Sequence, residues 1–512
     1  MSKNDGILEL DGQSLTIGDI VKVARGGVRV ALRASAKERV AACADAVRGW
    51  TEAGKAVYGI TTGFGDLATV AIPPEDCGTL QRNLILSHSC GLGEPLSEEL
   101  VRAVMLLRVN TLARGHSGIS PATLSLLTDF LNHGIHPVVP EQGSLGASGD
   151  LCQLSHLALP LIGLGEVFYR GRRVPSAEAL REAGLAPVTL LPKEGLALNN
   201  GTTVMIAVAS LALHDAAALL KNADIAGALS LEALHGVPYA FDPRTHDLRP
   251  HTGQRVTAGN IRRLIEGSLI LERHKGQRVQ DAYSLRCIPQ VHGAVRDALA
   301  YVREKIEIEI NSVTDNPIIF PDDDEAISGG NFHGEPIALA MDFFGIAAAE
   351  LASISERRTA RLVDAKLSGL PPFLVAECGL NSGFMIPHYT AAAIVSENKV
   401  LAHPSSVDSI PTSAGQEDHV SMGGYAARKA LQILTNARRV IGIELLCAAQ
   451  GLEFSLPDKP GAGTEAAYTA IRNRVPFLKK DIYMQPYLLE AITMIDKSDV
   501  LRAVEDRIGS LD

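Results

Sequence analysis

The chain has 512 residues, with 48 Lys and Arg against 58 Asp and Glu, a formal charge of −10 at pH 7. Apolar residues make up 46% and charged residues 21%, enough apolar surface to offset chain entropy, which excludes intrinsic disorder. The acidic balance and the lack of any Lys/Arg block exclude a nucleic-acid footprint, and the length calls for two or more packed regions.

The segments ILEL and QSLTI flank Asp11-Gly12, a favoured two-residue turn, and predict a hairpin. Asp19 is placed to cap a short helix through Ala24, with Gly26-Gly27 ending it. Residues 36–54 alternate at helical spacing, a loop follows with Thr61, Thr62, Gly63 and Gly65, and helical pattern returns over 96–114 and 120–133. The stretch HPVVPEQGSLGASG (136–149) is a loop by its Pro, Gly and Ser content. Asp150 leads into the helical LCQLSHLALPLIG, EVFYRGRRV turns at Arg170-Gly171, and Ser176 caps a further short helix. Segments 202–234, 291–312, 336–366 and 421–452 read as long helices, and Ile337–Ala349 is apolar on more than one face, so it needs several neighbours. Pro457–Thr464 reads as a linker before a short helical end. The fold expected is mainly α: a mixed N-terminal region over 1–200 carrying the 136–149 loop, and a long-helix bundle with a C-terminal helical segment over 201–512.

Seven scattered cysteines form no C-x-x-C pair, and an odd number cannot all pair within one chain. The N-terminus lacks the apolar stretch of a signal peptide. The least charged stretch, between Glu194 and Asp215, carries Asn199, Asn200 and Gly201 and reads as a core helix, not a membrane span. A cytoplasmic protein with no membrane partner is the expectation.

Several chemistry-bearing patterns fail. Gly49-x4-Gly54-Lys55 continues with Ala56, where a phosphate loop needs a hydroxyl for magnesium. Gly63-Phe64-Gly65 lacks the third glycine of a dinucleotide fingerprint. No zinc spacing exists among the fifteen histidines, so no metal is expected. The G-x-S-x-G elbow of serine hydrolases is absent.

Gly143-Ser-Leu-Gly-Ala-Ser-Gly-Asp150 is different. On its own, Ala147-Ser148-Gly149 is a glycine-rich turn before a helix. The same tripeptide permits a self-made electrophile, because an unhindered glycine nitrogen can approach the carbonyl two residues earlier. Attack of the Gly149 nitrogen on the Ala147 carbonyl with loss of water, then loss of water from Ser148, gives 4-methylidene-imidazol-5-one. It needs no external cofactor.

GSLGASGDLCQLSHLAL resembles the prosthetic-group segment of the aromatic amino acid ammonia-lyases and aminomutases. YGITTGFG (58–65), LQRNLILSHSCGLG (80–93), EGLALNNGT (194–202), VQDAYSLRCIPQVHGA (279–294), SGGNFHGEP (328–336), SGFMI (382–386) and PTSAGQEDHVSMG (411–423) resemble further family segments in family order. The resemblance implies the fumarase/histidase-like superfamily fold, and a homotetramer whose active sites combine residues from three subunits. It implies Tyr58 as catalytic base and Asn200, Tyr283 and Arg286 around the ring and the substrate carboxylate. A guanidinium fork suits a carboxylate. Gln280 and Phe332 are similar to further pocket residues, and Asp150 is placed to cap the helix that begins there.

Three positions bear on the substrate. Ser87-His88 and Met385 resemble the histidine-active members, whereas phenylalanine lyases usually carry Phe-Leu at the first pair. Glu417 stands where phenylalanine- and tyrosine-active members typically have Gln. A carboxylate suits an imidazole N–H, and a phenyl ring would leave it buried and unpaired. The resemblance therefore implies elimination of ammonia from L-histidine to give trans-urocanate, the first step of histidine degradation. A tyrosine or phenylalanine lyase, a 2,3-aminomutase and an inactive bundle scaffold are the alternatives. Gln153, Thr61 and Asn199 depart from the family, which usually has Pro, Asn (in histidine-active members) and Leu or Ile there.

Overall fold

The computed structural model describes residues 6–512. Strand β1 (Ile7–Leu10) pairs in parallel with β2 (Arg29–Leu32), across the helix α1 (Ile17–Gly26). The hairpin expected at Asp11-Gly12 is therefore corrected. The Asp11 carboxylate accepts from the backbone N–H groups of Gln13 (2.8 Å) and Ser14 (3.0 Å), a local turn that sends the chain on into α1. The cap of α1 is Thr16 rather than Asp19. Its hydroxyl accepts from the Asp19 N–H at 3.1 Å, and Asp19 sits inside the first turn.

Helices α2 (Ala34–Glu52) and α3 (Cys77–His88), strand β3 (Leu92–Pro95), and helices α4 (Glu98–Leu112) and α5 (Pro121–His133) follow. The failed phosphate-loop pattern at Gly49 lies on the end of α2. Ser97 and Ser120 cap α4 and α5 through their hydroxyls. The 136–149 stretch is mostly loop but holds β4 (His136–Pro137) and β5 (Pro140–Gln142). β5 pairs with β3 and β4 with β6 (Glu166–Tyr169), which turns as expected into β7 (Arg172–Pro175). Between them lies α6 (Leu151–Ala158). Ser176 opens α7 (Ser176–Ala183) but does not cap it: Pro175 holds the cap position, and the Ser176 hydroxyl donates to the Pro160 carbonyl at 2.8 Å. Then comes α8 (Glu194–Asn199).

The expected long helices are present. They are α9 (Thr203–Ala233), then, after the short α10 (Pro243–Asp247), α11 (Thr252–Leu264), α12 (Leu269–Arg273) and α13 (Tyr283–Arg286), the long α14 (Ile288–Glu309). A small hairpin, β8 (Ile318–Phe320) and β9 (Glu325–Ile327), precedes α15 (Glu335–Val363), α16 (Ala365–Ser368), α17 (Met385–Leu401) and α18 (Gly423–Leu452). The C-terminal segment is three helices, α19 (Ala462–Arg472), α20 (Gln485–Asp496) and α21 (Asp499–Ile508). Among the described residues, α9 and α15 are long and apolar enough to cross a membrane. The most apolar windows of both are mostly buried within the protein, 78% for α9, as core helices are.

The chain forms two compact units. The first runs to His214 and includes Arg303–Asp342 and Pro404–Arg428; the second is Asp215–Val302, Phe343–His403 and Lys429–Asp512. Four of the cuts fall inside α9, α14, α15 and α18. In the first unit, Cys43, Val47, Trp50, Val57, Ile60 and Ile319 form one core cluster. In the second, the fully buried Arg358 and Glu444 are paired. Ser230 and Ser355 donate to the Glu444 carboxylate, and His292 bridges Asp224 and Arg358. Each buried charge there has a partner.

Candidate active site

The Ala147-Ser148-Gly149 segment sits in a tight turn of the first unit. The Gly149 N–H donates to the Gly146 carbonyl at 3.2 Å, so the chain doubles back over Ala147 and Ser148. Ser148 is held at φ 50 and Gly149 at φ 77, the left-handed region, which is costly for the serine. The strain is held by a second chain segment: the Gly201 N–H donates to the Ser148 carbonyl (3.0 Å), and the Asp150 N–H donates to the Gly201 carbonyl (2.8 Å). A Cβ on Gly149 would lie 2.1 Å from the Gly201 oxygen, so glycine is required by space as well as by φ.

Asp150 does not cap α6. It stands at the cap position without a side-chain bond there, and its Oδ2 accepts from the backbone N–H groups of Val204 (2.8 Å) and Met205 (3.0 Å) at the start of α9. Burial pushes its carboxyl up to about 7 against the pull of these two donors and the Arg108 guanidinium. Below the turn, Lys193 donates to Asp315 Oδ2 at 2.8 Å, with neither side chain exposed. Asp315 Oδ1 accepts from Asn200 Nδ2 at 3.0 Å. Asn200 Nδ2 also donates to the Asn316 carbonyl, and its Oδ1 is buried without a partner.

Two lobes of one depression meet over the turn. One, about 530 Å³, has an apolar wall of Phe64, Leu84 and Leu196 and is also lined by Ser87, His88 and Leu151. The other, about 410 Å³, is more polar and takes in Asn316, Phe332, His333, Gln416 and His419. Tyr58, Gly65, Ser148 and Glu417 line both. The Gly65 N–H donates to the Tyr58 hydroxyl oxygen at 3.1 Å. Glu417 Oε2 is buried without a partner, an orphan acceptor in a site sized for a small molecule. Ser87 Oγ is 2.9 Å from His88 Nδ1, and burial lowers the His88 pKa.

The pattern that describes the aromatic amino acid lyases matches residues 15–473. The chain belongs to that family. Histidine ammonia-lyase of Symbiobacterium thermophilum is 56% identical over 98% of this chain and 99% of the relative. The crystal structure of histidine ammonia-lyase from Trypanosoma cruzi superposes with a TM-score of 0.91 at 41% identity, covering 98% of this chain and 96% of the other. Tyrosine aminomutase from Streptomyces globisporus gives 0.93 at 39% identity, over 99% and 100%. The chain is accordingly a carbon–nitrogen lyase with the mainly α fold of the family.

Of the site residues expected from sequence, the first unit of this lyase brings Tyr58, His88, Ala147, Ser148, Phe332 and Glu417 to the depression, with Gly149 and Asn200 in the backbone beneath. Gln280, Tyr283, Arg286 and Met385 belong to the second unit. There Gln280 and Arg286 line a smaller pocket. The Arg286 guanidinium stacks 4.5 Å over the Tyr283 ring, and its Nε donates to the Asp281 carbonyl. Tyr283 is 71% exposed. Met385 is the first residue of α17.

The three departures are all buried. Gln153 bridges the loop: it accepts from Ser144 Oγ and donates to the Glu141 carbonyl. Thr61 bonds within its own loop, to Lys55 and Val57. Asn199 donates to Ser155 Oγ. Sequence reasoning missed Asn316, His333 and the Lys193–Asp315 pair. His333 lies inside a segment already matched to the family, but nothing in its local pattern marks it.

Proposed function

We infer that this chain eliminates ammonia from L-histidine to give trans-urocanate. The observation that carries the reading is the Glu417 carboxylate, which lines the same depression as Ser148 and has one buried oxygen unpaired. The imidazole N–H of histidine satisfies that acceptor. A phenyl ring leaves it desolvated at a cost of roughly several kcal/mol. The relatives named histidine ammonia-lyase support the same substrate.

The turn fits a 4-methylidene-imidazol-5-one made from Ala147, Ser148 and Gly149. The close backbone approach at Gly149, where a Cβ has no room, and the doubled-back chain favour that group over an ordinary turn. Once formed, the group supplies an electrophile that turns the substrate's amine into a leaving group. The other roles fall to the side chains. Tyr58, on the seam between the lobes, removes the β-proton. Glu417 and His88 hold the imidazole, and Phe332 flanks it. The hydrogens of the Asn200 amide are committed to Asp315 and Asn316. Asn200 therefore offers an acceptor, and the substrate carboxylate falls to the Arg286 fork, stacked on Tyr283.

In the homotetramer we propose, Arg286, Tyr283, Gln280 and Met385 complete the site of a neighbouring copy. The exposure of Tyr283 and of Val279, which is fully exposed, supports a segment that another subunit covers. Mixing an inactive Ser148→Ala protein with an inactive Arg286→Ala protein tests this: shared sites regain activity on reassembly, and self-contained sites do not.

The decisive experiment is a near-ultraviolet assay with L-histidine, L-tyrosine and L-phenylalanine in parallel, on wild type and Glu417→Gln. Urocanate from histidine alone, lost in the variant, is expected. Coumarate or cinnamate from the wild type would overturn the substrate assignment, and no product from any would overturn the enzyme.

A further inference from the structure

Two cysteines outside the reaction site lie on adjoining segments at its wall. Cys90 follows His88 by two residues and is exposed; Cys152 is the second residue of α6 and is buried. The Cys152 sulfur packs against the residue that follows Cys90. A Cβ on Gly91 would lie 3.2 Å from that sulfur, and one on Gly143 only 2.4 Å from it. The Gly91 N–H donates to His156 Nε2 at 3.0 Å, which pins the Cys90 segment against α6.

We propose that Cys90 and Cys152 form a redox-responsive dithiol that a hydroperoxide converts to a disulfide, tying the wall that carries His88 to the helix after Ser148 and slowing turnover. The exposed Cys90 reacts first. Its thiolate attacks the peroxide O–O bond, giving a sulfenic acid and releasing an alcohol, or water from hydrogen peroxide. The Cys152 sulfur then attacks the Cys90 sulfur, the S–S bond forms, and the sulfenic hydroxyl leaves with the thiol proton as water. Two thiols lose two electrons and the peroxide gains them.

Order and reversibility follow from the surroundings. Burial pushes the Cys152 thiol up to about 11, so alone it is a poor target for oxidant. Held beside the segment that carries Cys90, it gains from proximity what it lacks in ionisation. Closing the two sulfurs to a bond of ~2.05 Å draws the end of α3 toward α6. His88 and Leu151 both line the larger lobe, so the bond moves two of its walls. A displacement on the order of 1 Å costs ~10²-fold in rate at a preorganised site.

The test uses the reduced full-length enzyme. It is exposed to limiting hydrogen peroxide, denatured with N-ethylmaleimide, digested and weighed, with turnover of histidine measured before and after dithiothreitol. Expected are a Cys90–Cys152 peptide pair lacking two hydrogens and a fall of at least ~10-fold in kcat/KM, restored by dithiothreitol and absent in Cys90→Ser. Cys152 that stays open to maleimide while Cys90 is fully oxidised overturns the dithiol. A bridge that forms without changing turnover overturns the coupling to the site. The slowing rests on the function proposed above; the bridge is read by mass alone, so an enzyme inert toward histidine fails that function and leaves the dithiol test standing.

Discussion

Replacing Lys193 with methionine removes one half of an ion pair that has no exposed surface on either side chain. Asp315 is then a buried carboxylate without its cation, which costs ~3–5 kcal/mol. Two bonds remain to it, from Asn200 Nδ2 at 3.0 Å and from the Asn316 N–H at 2.7 Å, and these place the cost near the low end, about 3 kcal/mol. For a unit of this size ~1 kcal/mol moves the midpoint by about 2 °C, so Lys193→Met should melt about 6 °C lower. Replacing both partners by apolar residues, Lys193→Met with Asp315→Leu, should recover most of the midpoint, because no charge is left stranded. Turnover should not recover, because the Asn200 amide has then lost Asp315, one of its two acceptors beneath the Ser148 turn. The assay is a thermal melt with kcat/KM on the two single variants and the double. A Lys193→Met midpoint within about 1 °C of wild type would refute the reasoning, since the pair would then be worth no more than a surface contact.

Ser148→Ala should fold with an unchanged melt, show no loss of the second water in intact-mass analysis because residue 148 then has no hydroxyl to lose, and show no turnover. Gly149→Ala places a Cβ 2.1 Å from the Gly201 oxygen at φ 77; the same mass measurement should find the waters retained, with a stability loss of at least ~1–2 kcal/mol from the backbone alone. Tyr58→Phe should lower kcat by ~10²–10⁴ with little change in KM if the phenol moves the proton, read in steady-state kinetics. Burial holds the His136 imidazole down at about 4, against 6.5 in the unfolded chain; Arg102 lies 3.2 Å from its Nε2, as a donor to the neutral ring. On acidification from pH 6.5 to 4 the unfolded chain takes up this proton first, so stability falls by up to about 3 kcal/mol across that window. His136→Asn should flatten that acid limb in urea unfolding at pH 7 and pH 4.5.

The long helices were legible because apolar-rich runs of 22 to 31 residues have few other structures open to them, and α9, α14, α15 and α18 begin and end within a few residues of the expected limits. The errors arose where one side chain decided among local options. Asp11 had two backbone donors within reach and made a turn into α1, so β1 found its partner beyond that helix. Asp19 and Ser176 were good caps by type, but Thr16 and Pro175 held the cap positions. The Ser148 turn was readable as chemistry from three residues. Its support was not: Gly201, Thr314 and Asp315 come from distant stretches, and only folding shows that a Cβ on Gly201 would lie 2.3 Å from the Thr314 carbonyl. Arg286 and Tyr283 carry a motif but lie in the other unit, and spacing along a chain does not say across which boundary a side chain acts.

The carboxylate next to the Ser148 turn holds the first N–H groups of α9, not those of the helix it precedes. The turn and the start of the longest helix are thus a single assembly step. A ribosome that has released residues 1–180 has delivered every atom of the tripeptide but neither the donors that anchor Asp150 nor the Gly201 carbonyl that closes the turn. Any reaction that depends on this geometry must wait until α9 has emerged and docked, so the ring closure proposed for Ala147-Ser148-Gly149 would, by the mass it removes, record that this part of the core was built.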